Sequence, residues 1–455
     1  MALGLPYTAH TRTEGENKMR LLWRIQKQVR ETKTKMNLGL ANVAKVTHFI
    51  PERPRRIVRD WLIAITTPND YRAPVWRGKS RYPFGINEYG FIRAQIGLAQ
   101  GAKLYARMLQ EAEVPFTLIN VDNYSAWMEQ SDHTWDDKIS LNGKYIINVM
   151  HINADQIEDV CRPKSHREFD NHYNIGVWLW ELETLPTSWL PALKYVDELW
   201  APSQFIADAI RKETDKPVIV LPYGIETPVD GSTRKDFGLA EEDFLVLAMY
   251  DSRSYASRKN PAGAINAFRK AFQGASNRAR LVLKIANGKD EEIQALREHL
   301  EEAGIRYHLL TEKYEKPKLN ALISCCDVFV SLHRSEGFGL VIAEAMSLGV
   351  PVVATAWSAN AEFMPEECTC RVRYTLIPVG DDYQWGNDAQ RWADPDTEQA
   401  AEYLRMLYHN PELANRMGEM EKKYIQSELS PQSCGKRMRD RYEIICEKLK
   451  SQIKV

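Results

Sequence analysis

Ser335-Glu336-Gly337-Phe338-Gly339-Leu340-Val341-Ile342-Ala343-Glu344-Ala345-Met346, followed by Gly349-Val350-Pro351-Val352-Val353-Ala354-Thr355, is the stretch from which the fold can be read. Residues 327–332 just before it are β-branched and aromatic, as a buried strand is. Residues 340–348 are apolar on nearly every side except at Glu344 and predict a short buried helix; residues 350–355 predict a second strand. Strand, glycine turn, helix and strand form the repeating unit of an open parallel sheet, in which ligands collect at the carboxyl ends of the strands. At the helix start the unpaired N–H groups of Phe338, Gly339 and Leu340, backed by the helix dipole, suit an anion. Gly337 and Gly339 allow a backbone to come close to a bulky ligand. Glu344, inside an apolar helix, needs a partner for its carboxylate.

Two glutamates with seven residues between them, in the context EGFGLVIAEAMSLGVPVVAT, resemble the motif of the retaining glycosyltransferases of family 4 (glycosyltransferase group 1, bacterial polysaccharide type). That family has the GT-B fold, two Rossmann-like α/β domains facing each other across a cleft. The resemblance implies that Glu336 lies near the donor sugar, that Glu344 holds the ribose of the nucleotide, and that the turn from Gly337 to Leu340 faces the diphosphate.

The rest of the chain is compatible with this. At 455 residues with 44% hydrophobic content it is long enough for two cores. A net charge of −1 argues against a general nucleic-acid partner. The charge is unevenly placed: residues 1–60 hold 13 Lys or Arg against 5 Asp or Glu, which leaves about −9 for the remainder. Within residues 17–35, Lys18, Arg20, Arg24, Lys27, Arg30, Lys33 and Lys35 alternate with apolar side chains, which would suit contact with an anionic membrane face; a solvated arm is the plainer reading. Seven cysteines, no signal-like opening and no apolar run of about 18 residues point to a reducing cytosol, with peripheral contact at the inner membrane face as the option the basic arm adds.

Alternating strand and helix patterns divide the chain into a basic arm (1–55), a first Rossmann-like domain (56–226), a linker (227–243) and a second domain (244–428). The last helix, 429–455, is expected by resemblance to cross back onto the first domain. In the first domain, residues 57–66 read as a strand, and Gly85 and Gly90 bracket what reads as a strand-to-helix turn containing Asn87. It is not a dinucleotide fingerprint, since G-x-G-x-x-G is absent. The resemblance makes it a loop facing donor phosphate and acceptor, and makes His151, at the end of a buried strand, a contact of the transferred sugar. Trp180 and Glu181 end a further strand and could line an acceptor groove as well as belong to the core.

In the second domain, residues 251–261 stand between a strand and a helix and carry Arg253, Arg258 and Lys259. Cations there can neutralise a departing diphosphate without metal. The resemblance assigns that task to Arg253 and Lys259, with Arg258 competing for the role of Arg253. Residues 356–364 resemble the donor-sugar loop, with Asn360 in it and Ala359 where glycine is expected. Asp394-Pro395-Asp396 precedes a helix and reads as a cap rather than a metal site.

The implied activity is transfer of a sugar from a nucleotide-diphosphate-sugar to a hydroxyl of a glycan or lipid-linked glycan, with retention and with neither metal nor cofactor. The alternatives are a GT-B-fold sugar-nucleotide epimerase, which needs no acceptor, and a non-catalytic nucleotide-sugar-binding subunit. A glycoside hydrolase is disfavoured because Glu336 and Glu344 share one turn-helix unit instead of flanking a groove.

Overall fold

The computed structural model describes residues 73–121, 131–161, 168–274, 278–380, 383 and 389–453. The basic arm with residues 17–35, and the strand expected at 57–66, lie outside them. The first sheet is built from β1 (Ile86–Gly90), β2 (Phe116–Asn120), β3 (Ile147–Met150), β4 (Tyr173–Val177), β5 (Glu198–Ala201) and β6 (Val218–Val220). All pair in parallel, in the order β2-β1-β3-β4-β5-β6. Helices α1 (Gly97–Glu111), α2 (Ala154–Cys161) and α3 (Gln204–Arg211) connect them, α3 capped by the Ser203 hydroxyl as its sequence suggests.

Strands covered on both faces read as apolar runs, and most of these do. The exception is a row of asparagines in register across β1, β3 and β4: Asn87 donates to Asn148 Oδ1 at 2.8 Å and Asn148 to Asn174 Oδ1 at 2.9 Å. Residues 86–90, read above as part of a turn, are therefore a central strand, with Asn87 tied into the sheet. The turn proper begins at Phe91 and ends where α1 starts.

The second sheet has the order β12-β11-β10-β7-β8-β9, again parallel. Its strands are β7 (Phe244–Asp251), β8 (Ala279–Ala286), β9 (Tyr307–Leu310), β10 (Val328–Ser331), β11 (Val352–Thr355) and β12 (Cys370–Val372). Between them run α4 (Ala256–Lys259), α5 (Pro261–Phe272), α6 (Asp290–Glu302), α7 (Lys316–Ser324) and α8 (Leu340–Ser347). An antiparallel pair, β13 (Tyr374–Pro378) and β14 (Arg391–Pro395), follows. Then come α9 (Thr397–His409), whose first amides are capped by Asp396, α10 (Pro411–Glu428) and α11 (Pro431–Gln452).

The final helix does cross back to the first domain. Gln432 donates to Glu111 at 2.9 Å, and Arg441 donates to Glu198, a fully buried carboxylate that also accepts from Tyr173 and Trp200. In each sheet the chain winds outward from a central strand and then returns to its other side, which leaves a crevice between β1 and β3 and another between β7 and β10.

Candidate active site at the interdomain cleft

A cavity of about 680 Å³ lies at the carboxyl ends of β7, β8, β9 and β10, with the start of α1 forming part of its wall from the first domain. Several hydrogen bonds join the domains beside it. Ser203 donates to the carbonyl of Gly337 at 2.8 Å, and the Ser335 hydroxyl donates to the carbonyl of Glu181. The carboxylate of Glu362, on the short 3-10 turn Ala359–Glu362, accepts from the amides of Gln204 (2.8 Å) and Phe205 (2.7 Å). A side chain of one domain thus caps helix α3 of the other.

Gly337 belongs to this closure. A Cβ there would lie 2.8 Å from the carbonyl oxygen of Trp180. The close approach that a glycine permits is accordingly made by the first domain's backbone, although Gly337 also borders the cavity. Gly339, with φ +93°, turns the chain into α8, and Phe338, Gly339 and Leu340 line the cavity at the helix start as read from the sequence.

Helix α4 is a single turn with a non-glycine residue at positive φ on each side, Tyr255 at 63° and Asn260 at 51°. Such backbone costs of order 1–3 kcal/mol per residue and is held only by its surroundings. Here the Asn260 amide donates to the carbonyl of Leu332, and its carbonyl oxygen accepts from the Gly263 amide. The turn presents Arg258 and Lys259 together. Lys259 Nζ donates to Glu336 Oε1, while Arg258 Nη1 stands 3.4 Å from Glu336 Oε2 and Arg258 Nη2 stands 3.6 Å from Glu181. Arg253 is at the rim, half exposed, with Nη2 2.8 Å from Asp251.

Burial by itself would raise the Glu336 carboxyl, but Lys259 and Arg258 outweigh it and hold the group at about 2. Glu336 is therefore ionised at any working pH. Burial lowers the Lys259 ammonium, with Glu336 acting the other way. Glu344 has found the partner it needed: Lys316 Nζ lies 2.6 Å from its Oε2.

Other expected site residues stand behind the wall. Asn360 is fully buried, between His333 Nε2 at 2.9 Å and the Thr355 carbonyl at 2.8 Å. Trp180 is buried against Trp189, and Glu181 alone of that pair reaches the cavity, where Tyr383 donates to it at 2.9 Å. Gly85, at the opposite end of β1, packs on the Tyr145 ring, and Gly90 packs against Ala102 of α1.

His151 is fully buried as well, its Nε2 3.0 Å from the hydroxyl of Tyr223 and its Nδ1 3.7 Å from the carboxyl of Glu88. The residue that faces the cavity there is Tyr223, whose ring meets Phe338 edge-on at 5.0 Å. Burial pushes His151 from its ordinary 6.5 down to about 3, so it is neutral near pH 7, and pushes the Glu88 carboxyl well above its ordinary value. Glu88, Tyr223, Lys316 and His333 were not picked out from the sequence. Lys316 sits six residues past the end of β9 and opens a helix, a position that could have drawn notice; Tyr223 and Glu88 had no local signal.

Residues 248–393 match the family model described as "Glycosyl transferases group 1". Among curated proteins no sequence match reaches significance. Solved structures match across both domains. The structure of Anabaena HepE in complex with UDP-glucose does so with a TM-score of 0.59 at 12% identity, over 79% of this chain and 99% of that one. The sucrose-phosphate synthase of Thermosynechococcus elongatus gives 0.59 at 14%, over 81% and 100%. The fold is GT-B. Against the longer TarM of S. aureus the chain spans 55% of the length. Within the GT-B frame the cavity occupies the cleft between the two sheets, and the matched segment contains Lys259, Glu336 and Glu344.

Proposed function

We propose that the protein is a metal-independent, retaining glycosyltransferase that moves a sugar from a nucleotide-diphosphate-sugar to a hydroxyl of a glycan or lipid-linked glycan. The observation that carries this reading is the convergence, inside the segment matching the group 1 model, of Arg258, Lys259, an ionised Glu336 and the amides of the α8 start on one cavity. The UDP-glucose bound by Anabaena HepE, which has the same fold, is consistent with a nucleotide-sugar donor.

In this reading the diphosphate lies between Lys259, Arg258 and the amides of Phe338 to Leu340, and the ribose takes hydroxyl contacts at Glu344. Lys259 then shares its charge between Glu336 and the phosphate. As the bond from the anomeric carbon to the phosphate oxygen breaks, two cations and a helix start oppose the developing negative charge, which is the service a metal would otherwise render. Glu336 opposes the positive charge that develops on the ring. The acceptor hydroxyl attacks from the face the phosphate leaves, and its proton passes to a phosphate oxygen, so no side chain forms a covalent intermediate. His151 acts through Tyr223 and touches no substrate. The Glu362 cap and the Ser203 and Ser335 bonds keep the cleft shut, which favours transfer over hydrolysis.

An acceptor carried in a membrane would give the basic stretch 17–35 its use, and sedimentation with anionic vesicles tests that. The reaction itself is tested by product analysis. Proton NMR of the first-formed product should show the anomeric configuration of the donor, and excess EDTA should leave the rate unchanged; an inverted product or full loss in EDTA overturns the corresponding part.

A further inference from the structure

The cavity extends over the end of β8 to residues 313–316, which follow β9, and none of its wall comes from β11 or β12. At that end stands Lys284, on β8, only 2% exposed and lining the cavity. A buried lysine ordinarily has a carboxylate partner. Among the described residues none forms an ion pair with Lys284. Its ammonium has three N–H donors. One meets the Ile285 carbonyl at 3.1 Å, and the nitrogen lies 5.1 Å from the centre of the Tyr314 ring. That leaves a donor for whatever fills the cavity. Burial lowers the ammonium, while Glu312 and Asp251 act from a distance in the other direction.

If the donor reading above holds, the diphosphate occupies the β7 and β10 ends and the ribose sits at Glu344 beside Lys316. Tyr314 is two residues before Lys316, so the part of the nucleotide beyond the ribose falls toward Tyr314 and Lys284. We propose that this end of the cavity is the nucleobase subsite, and that Lys284 makes it select a base presenting a carbonyl oxygen, uracil or guanine, over adenine. A carbonyl oxygen accepts from the ammonium. Adenine has no carbonyl: where uracil and guanine present O4 and O6 it presents an amine, so the ammonium gains no hydrogen bond at that edge.

The test is calorimetric binding of UDP, GDP, ADP and inorganic pyrophosphate to the full chain, to Lys284→Met and to Lys284→Gln. UDP or GDP should bind at least about tenfold tighter than ADP, and which of the two does so names the base. Lys284→Met should abolish that preference while leaving ADP and pyrophosphate as they were. Lys284→Gln, which keeps an N–H donor, should retain part of it. Equal binding of UDP, GDP and ADP by the wild type overturns the proposal even if neither variant folds. A loss shared by pyrophosphate overturns it too, since Lys284 would then be a phosphate contact. Failure of the wild type to bind any nucleotide or pyrophosphate is a different result: it removes the donor reading on which this rests.

Discussion

The two sheets differ in winding, with one strand outside β1 in the first and two outside β7 in the second, yet each opens a crevice beside its first described strand, and they fill it with opposite chemistry. Beside β7 and β10 the charged groups are paired: Lys259 and Arg258 on Glu336, Lys316 on Glu344. Between β1 and β3 stand Glu88 and His151, both wholly buried, the first pushed well up and the second well down by that burial, with neither the Glu88 carboxyl oxygens nor His151 Nδ1 making a hydrogen bond. The same topological position can serve a charged ligand in one domain and brace a wall in the other. What decides is whether a cation is delivered by the following turn, as α4 does in the second domain.

The largest effect expected from this contrast is on transfer. Lys259→Ala should lower kcat/KM by about a hundredfold or more, the scale of losing one preorganised charge at a reacting centre. Circular dichroism and the unfolding midpoint should stay near those of the wild type. A matching substitution in the other crevice, His151→Gln, should cost far less in transfer; a comparable loss would break the contrast.

Next comes packing. Gly101 lies inside α1, where alanine is ordinarily better than glycine by up to about 1 kcal/mol. A Cβ there, however, would lie 2.5 Å from the Tyr223 hydroxyl and 2.7 Å from His151 Nε2, both fixed by their mutual hydrogen bond. The clash outweighs the propensity, and Gly101→Ala should destabilise by about 1–3 kcal/mol, measured by denaturant unfolding. A gain in stability would show that the His151 and Tyr223 pair yields easily.

The two crevices should also differ in acid. His151 titrates at about 3 when folded against 6.5 ordinarily, so between those values the unfolded chain holds a proton that the native one lacks. Stability contributed by neutral His151 is whole above pH 6.5 and falls as pH drops, at up to about 1.4 kcal/mol per unit. Glu336, lowered from 4.5 to about 2, contributes stability that is whole above 4.5 and lost only below it. Unfolding free energies of His151→Gln should therefore lose a pH slope worth one proton between 6.5 and 4.5, and those of Glu336→Gln should not change slope there. Smallest of all, Glu362→Ala removes the cross-domain acceptor at the start of α3, which keeps its Ser203 cap, and should cost at most about 1 kcal/mol, the scale of N-cap losses, with a rise in donor KM greater than any fall in kcat.

Much of the fold could be read in advance because parallel strands covered on both faces are apolar runs separated by glycine and polar turns; β10, α8 and β11 fall where residues 327–332, 340–348 and 350–355 suggested. Residues 84–91 misled because two glycines look like a turn, whereas Asn87 sits inside a strand only by virtue of Asn148 and Asn174, far away in the chain. The cation turn and the two glutamates were legible because their spacing is local. His151 was legible as a strand end but not as a hidden one, since burial by Tyr223 and Gly101 is decided by residues 50 to 72 positions away. For the same reason Glu88 escaped notice, and Lys284 looked like one more residue of a strand.

The central claim, that the charged crevice of the second domain is a donor site, is tested most directly by thermal unfolding against a panel of nucleotide-diphosphate-sugars. A donor present at about a hundred times its Kd should stabilise the wild type by about 2.7 kcal/mol, and most of that should vanish in Lys259→Ala. No rise with any member of the panel, or a rise of equal size in Lys259→Ala, would contradict it.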